Sequence, residues 1–98
     1  MVTVVLPAQL KRLANIDGEV RFDLPAPVTQ RALLDALEAR YPALLGTTRD
    51  RRTKRRRAYI RFFACNEDWS DAAPDDALPD AVASGKEPFI VIGAMSGG

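Results

Sequence analysis

The chain has 98 residues, 47% of them hydrophobic, and a formal net charge of +1 at pH 7. These values are typical of one folded domain and exclude a disordered chain. Cys65 is the only cysteine and histidine is absent, which excludes an internal disulfide, a Cys/His zinc site and a Ser-His-Asp triad. No apolar run approaches the length that spans a membrane and no signal segment opens the chain, so we predict a cytoplasmic protein.

The first part of the chain contains two strand patterns. Residues 2–6 form an apolar, β-branched run that Pro7 closes, because proline cannot donate to a sheet ladder. Residues 19–24 alternate polar and apolar side chains, which is typical of a strand with one buried face. Between these strands, residues 8–18 are predicted to form a long loop held by three apolar side chains. These are Leu10, Leu13 and Ile16.

A helix is predicted over residues 30–41. Thr29 precedes it as an N-cap residue, and the helix ends before Pro42 because the residue preceding a proline is disfavoured in the helical region. Leu33 and Leu37 belong to an apolar stripe at helical spacing that should face the core. The charged residues of the helix are predicted to face solvent. These are Arg31, Asp35, Glu38 and Arg40.

Residues 49–57, called the basic loop below, hold seven of the fourteen Lys and Arg residues of the chain. Asp50 is the only acidic residue among them. Charge repulsion and the lack of apolar anchors predict an exposed, mobile loop. Clustered basic side chains also favour a patch for nucleic acid or for an acidic partner. No aromatic residue interleaves them, so the stacking typical of single-strand binders is missing and nucleic acid is the less favoured partner.

The second half of the chain predicts three more strands. Residues 58–65 form the most apolar of them, predicted to be central, with Cys65 as a small buried side chain inside the strand. Residues 66–68 are typical of a turn, and residues 69–70 are predicted to form a short returning strand. The acidic stretch that follows is predicted to be solvated surface. The last strand is predicted over residues 89–92.

The order of these elements predicts an α+β fold of the β-grasp type, in which a mixed sheet of four to five strands cradles one main helix. The first and last strands are strongly apolar, as strands buried under a helix are. Residues 1–98 are predicted to form a single domain with a flexible tail over residues 93–98. Gly97 and Gly98 lack Cβ atoms, so their backbone fits a channel too narrow for other residues. A frayed end and an expression remnant are the alternatives.

The chain resembles the MoaD/ThiS family of ubiquitin-like sulfur carriers over nearly its whole length. The resemblance lies in Val2-Thr3-Val4-Val5-Leu6-Pro7-Ala8-Gln9-Leu10, the Val28-Thr29 helix entry, the strand that runs into Cys65-Asn66-Glu67, and the final Ser96-Gly97-Gly98. The glycine pair after an apolar strand is the most specific of these features. The sequence departs from the family in its longer, more charged basic loop and in Lys86, where the family often has aspartate. Both departures bear on the choice of partner.

The resemblance implies a carrier protein, not an enzyme, that binds no cofactor itself. A partner similar to ubiquitin-activating enzymes would use ATP and magnesium to adenylate the carboxylate of Gly98. Sulfur from a persulfide would then convert this carboxylate to a thiocarboxylate. Gly97 would provide clearance, and exposed apolar surface near Phe89, Val91 and Met95 would form the docking patch, with burial of each of them in the core as the equal alternative. Any zinc would belong to the partner.

The resemblance leaves the destination of the sulfur open. The acceptor could be the dithiolene of molybdopterin in molybdenum cofactor biosynthesis, thiazole, cysteine or another metabolite, or transfer RNA. The chain could also be the small subunit of a sulfur-transferring synthase. Conjugation to proteins through an isopeptide bond is the related alternative. A nucleic-acid-binding module that uses the basic loop, and a purely structural subunit, are the alternatives from other classes.

Overall fold

The computed structural model describes residues 1–93, so the predictions for Met95, Gly97 and Gly98 lie outside the described residues. Five strands form one sheet in the order β2-β1-β5-β3-β4. They are β1 (Val2–Val5), β2 (Val20–Phe22), β3 (Ile60–Ala64), β4 (Glu67–Asp68) and β5 (Phe89–Gly93). β1 and β5 are parallel and the other neighbouring pairs are antiparallel. This mixed sheet, with a helix across one face, confirms the predicted β-grasp fold.

The main helix agrees with its prediction except on one face. α2 (Gln30–Arg40) begins after Thr29, whose hydroxyl accepts a hydrogen bond from the Ala32 N–H at 3.1 Å. Leu33 and Leu37 are fully buried. Glu38 was predicted to face solvent, and this is wrong, because its side chain is buried. A short 3-10 helix (Pro42–Leu44) follows directly and buries Leu44.

Residues 8–14 form a helix, so the prediction of a loop over residues 8–18 is wrong. α1 (Ala8–Ala14) buries Leu10 and leaves Leu13 exposed. Asn15 ends it in the left-handed conformation (φ 57°), and its N–H bonds to the carbonyls of the last turn. A helix on the surface needs to bury only one side, and Leu10 is the one buried residue of α1. The third helix, α3 (Asp80–Ala83), is too short to give a periodic pattern.

The turn after β3 corrects two further predictions. β3 ends at Ala64, and Cys65 lies just beyond the strand, half-buried and with a free thiol. Cys65 and Asn66 both have positive φ, 53° and 63°, which is the backbone of a tight two-residue hairpin. Because the turn is this short, the returning strand is Glu67–Asp68 and not residues 69–70.

The core lies between the sheet and α2. Every second residue of the three interior strands, β1, β5 and β3, points into it, and the Phe62 and Phe89 rings meet there with centroids 5.4 Å apart. Gly85 lies close to the first residue of the chain, and a Cβ at Gly85 would come within 2.1 Å of the Met1 carbonyl oxygen. Gly85 also has a φ of +84°, so this position requires glycine.

Leu37→Ala is expected to lower the free energy of unfolding by about 2–5 kcal/mol, because a fully buried leucine leaves a cavity that the helix and sheet cannot refill. Leu13→Ala is the matched control, since Leu13 is 55% exposed on α1. Its effect should stay within about 0.5 kcal/mol. Chemical denaturation measures both. Equal stability of the Leu37 variant and the wild type would contradict the packing of α2.

Asp68 is expected to stabilise the fold at neutral pH and to lose this contribution in acid. Hydrogen bonds from the hydroxyl and the backbone N–H of Ser70, followed by one from Arg61, lower the pKa of Asp68 to about 2. The pKa of an aspartate in the unfolded chain is about 3.9, so this contribution is present above about pH 4 and is lost as the pH falls through 2. Urea unfolding at neutral pH and near pH 2 should therefore show a stability gap between the wild type and Asp68→Asn that closes in acid. A gap that does not change with pH would contradict this assignment.

Candidate functional site

The last residue of β5 lies at one end of the sheet, next to an apolar groove. The strand lies in the middle of the sheet and ends at Gly93, which pairs with Ile60 of β3. Gly93 also lines the groove, which has a volume of about 280 Å³. The remaining residues that line it are Pro7, Gln9, Leu10, Leu13, Thr47, Tyr59 and Ile60. We call it the exit groove, because the chain continues from Gly93 towards Gly97 and Gly98.

Phe89 and Val91 are core residues, so the prediction that they form an exposed docking patch is wrong. Their side chains are 0% and 2% exposed and lie under α2. Ile92 instead points outwards and is 44% exposed. The apolar run of β5 could not reveal this difference, because all four of its side chains are hydrophobic. Only the pairing of the strand fixes which alternate residues face the helix.

The sheet face opposite α2 carries a row of partly exposed apolar side chains. Ile90 lies between Val5 of β1 and Phe63 of β3, as the register of the three strands shows. Ile92 lies opposite Arg61 on the same face. We call this the outer face. It is continuous with the end of β5, so an apolar surface reaches the residue at which the described chain ends.

Arg49 contradicts the prediction of a wholly exposed basic loop. Its side chain is 3% exposed, and its Nε and Nη2 atoms donate to the two carboxylate oxygens of Glu38 at 2.8 and 3.1 Å. Nη2 also donates to Asp35. Burial lowers the pKa of Arg49, but the hydrogen bonds and charges of Glu38 and Asp35 outweigh it, so the pKa is raised overall. The loop is therefore fastened to α2 by a buried, charge-assisted cluster.

Arg56 and Arg57 also hold the loop to the domain. The Arg56 guanidinium donates to the backbone oxygens of Ser70 and Ile60 at 3.1 and 2.7 Å. Arg57 donates to the carbonyl of Gly46 at 2.9 Å. These bonds explain how a segment without apolar anchors keeps a defined path. The loop also contains three exposed arginines that form no ion pair within residues 1–93. These are Arg51, Arg52 and Arg55.

The described residues contain no group of three or more His, Cys, Asp or Glu side chains that could hold a metal ion. In the same part of the chain, none of the helices has the length and hydrophobicity that crossing a lipid bilayer requires. Cys65 lies at the far end of β3 from Gly93, because the antiparallel pairing places Ile60 beside Gly93. The thiol is therefore not part of the exit groove.

No protein-family model and no curated protein matches the chain, but several solved structures do, and three of them match it over nearly its full length. SAMP1 from Haloferax volcanii is 25% identical, with a TM-score of 0.76 over 99% of this chain and 98% of that one. The small archaeal modifier protein 1 of H. volcanii is 22% identical, with a TM-score of 0.70 over 92% of each chain. A chain of the Amycolatopsis orientalis BexX/CysO complex is 18% identical, with a TM-score of 0.75 over 100% of both.

Proposed function

We propose that the chain is a ubiquitin-like sulfur carrier whose reactive group is the α-carboxylate of Gly98. The observation that carries the proposal is the Gly97-Gly98 pair, which follows the central strand of a β-grasp fold by only a few residues. The fold likeness to a small archaeal modifier protein and to a chain of a BexX/CysO complex supports it. A cytoplasmic location is part of the same proposal.

The proposed reaction begins on a partner enzyme. A carboxylate is a poor acyl donor, so the partner would use ATP and magnesium to form the Gly98 acyl adenylate and release pyrophosphate. The terminal sulfur of a persulfide would displace AMP, and a thiol would then release the thiocarboxylate by forming a disulfide with the donor. This chain contributes the acyl group and the clearance of Gly97. The metal and nucleotide sites belong to the partner.

Use as a protein modifier is the second candidate. The likeness to the small archaeal modifier protein favours it. The same Gly98 adenylate would in this case be passed on until a lysine amine forms an isopeptide bond with it. Both candidates share the activation step and differ in the final nucleophile.

We expect the partner to contact the outer face near Ile92. Ile92→Asp should lower kcat/KM for activation by about tenfold, since a charge replaces an exposed apolar side chain in the contact. Leu45→Asp is the matched control, because Leu45 is also partly exposed but lies beside the 3-10 helix rather than on the outer face. Both variants should keep the wild-type melting temperature. Equal effects of the two substitutions on activation would contradict docking on the outer face.

Reconstitution with an adenylating enzyme from the same cells tests the proposal. The wild-type chain should support ATP–pyrophosphate exchange. Addition of a persulfide donor and a thiol should yield a product with one oxygen replaced by sulfur. Addition of cell protein instead would reveal an isopeptide-linked product if the modifier role is correct. Lack of exchange with every adenylating enzyme of those cells would contradict both roles.

A further inference from the structure

A second cavity lies on the side of the domain where the basic loop meets the start of α2. Its volume is about 630 Å³. The basic loop, the beginning of α2 and residues 70–74 form its walls. The residues that line it are Gln30, Arg31, Leu34, Arg49, Thr53, Lys54, Arg55, Arg56, Phe62, Ser70, Asp71, Ala72 and Pro74. We call it the arginine cavity.

Gln30 gives this cavity an unsatisfied polar group. The residue is 6% exposed, and its side-chain amide forms no hydrogen bond within residues 1–93. Thr48 Oγ1 is the only completely enclosed side-chain polar atom without a partner in that part of the chain. The Gln30 amide is therefore reached from the cavity that it lines. The donors and the acceptor of this amide are therefore free to bind a ligand in the cavity.

The backbone N–H groups of Arg31 and Ala32, at the start of α2, are not available to bind a ligand in the arginine cavity. The Arg31 N–H donates to the Pro74 carbonyl at 3.0 Å, and the Ala32 N–H donates to the Thr29 hydroxyl. These two N–H groups are thus satisfied by protein atoms. A ligand in the arginine cavity would be bound by side chains.

The positive charge available in the cavity comes from the basic loop. Arg55 is exposed and forms no ion pair within the described residues, and Lys54 lies 3.6 Å from Glu38, at the outer limit of an ion pair. Arg49 is already committed to Glu38. Two cationic groups of the lining therefore remain to neutralise an anion.

The remaining lining limits the kind of anion. Ala72 and Pro74 provide an accessible apolar surface, which a bare inorganic ion cannot use. The lining also contains the exposed carboxylate of Asp71, which is paired with Arg56. It adds a negative charge that would oppose the successive phosphates of a nucleic acid. The described lining also offers no exposed aromatic ring for base stacking.

We infer that the arginine cavity binds a small organic anion, with its charged group held by Arg55, Lys54 and the Gln30 amide and its body against Ala72 and Pro74. The cavity volume lies in the range of small-molecule sites, roughly 300–1,000 Å³. This site is separate from the exit groove, and the two share no lining residue. The inference therefore does not depend on the carrier role of Gly98.

Nuclear magnetic resonance titration of the full chain tests the inference. The probes are AMP, which is a phosphate ester, and N-acetylglutamate, which is a carboxylate, with inorganic phosphate and a short single-stranded oligonucleotide as comparisons at constant ionic strength. Saturable shifts of the Gln30 side-chain amide and the Arg55 Nε–H with AMP or N-acetylglutamate would support the site. Whichever of the two probes binds more tightly identifies the charged group.

Arg55→Gln and Arg52→Gln form a matched pair for this titration, because both arginines are exposed and unpaired within residues 1–93 but only Arg55 lines the cavity. Arg55→Gln and Gln30→Met should each weaken binding about tenfold, and Arg52→Gln less than about twofold. Absence of saturable shifts, or equal weakening by Arg52→Gln and Arg55→Gln, would overturn the inference. So would tighter binding of inorganic phosphate or the oligonucleotide than of either organic anion.

Discussion

Arg49→Met is expected to lower the free energy of unfolding by about 3–5 kcal/mol, because it leaves the carboxylate of Glu38 buried without its partner. The Glu38 side chain is 6% exposed, and Arg49 supplies two of the hydrogen bonds that satisfy it. Lys54 lies 3.6 Å away but is 38% exposed, so it replaces this partner only in part. Chemical denaturation at neutral pH measures the loss.

Two further variants separate charge pairing from simple loss of an arginine. Arg52→Met removes an exposed arginine of the same loop and should change stability by no more than about 0.5 kcal/mol. The double variant Arg49→Met/Glu38→Met should recover most of the lost stability, since a buried ion pair is often replaced by apolar side chains at little cost. If Arg49→Met is as stable as Arg52→Met, the buried cluster does not anchor the loop.

Deleting Gly98 is expected to abolish activation by the adenylating partner and to leave the fold intact. The buried hydrophobic core of the described chain extends only as far as Val91, so the melting temperature should not change. The reactive carboxylate would move to Gly97, one residue short of its position on the enzyme, where misplacement of a reacting group is costly. ATP–pyrophosphate exchange with the partner, alongside a circular dichroism melt, measures both effects.

Substitutions at Gly97 provide a graded version of the same test. Gly97→Val should be nearly as damaging as the deletion. A β-branched side chain restricts the backbone conformation, and it makes the chain wider where it would have to pass through a narrow channel of the partner. Gly97→Ala is the matched control and should lose less activity. Appending one residue after Gly98 should abolish exchange, because the carboxylate then lies inside a peptide bond. Full exchange by a folded Gly98 deletion would contradict the role of this residue.

The sequence was sufficient to predict the β-grasp fold because its long elements have clear patterns. The alternation over residues 19–24 and the leucine stripe of α2 each match a single type of structure, and both elements are present, although the strand covers only Val20–Phe22. α1 was missed because a surface helix that buries only Leu10 has a weak apolar period. The turn at Cys65 and Asn66 was predicted over residues 66–68, and the returning strand was consequently placed two residues too late, because either hairpin position suits an asparagine.

The candidate sites were harder to predict because they depend on pairing. The run from Phe89 to Ile92 is apolar throughout, so the buried and exposed residues could be separated only after the register with β3 was known. The counter-charges of Arg49 in the basic loop could not be recognised from the local sequence, because Asp35 and Glu38 lie on α2 more than ten residues earlier. Long-range ion pairs of this kind leave no local pattern.

Mass spectrometry of the protein isolated from its own cells tests the central claim most directly. Digestion should release a C-terminal peptide that ends at Gly98. In a fraction of the molecules, this peptide should be heavier by the difference between one sulfur and one oxygen atom. Fragmentation must place the change at Gly98, since oxidation of Met95 adds a similar mass. A peptide that continues beyond Gly98 in every molecule, or sulfur that is never found at Gly98 while a partner is active, would contradict the sulfur-carrier function.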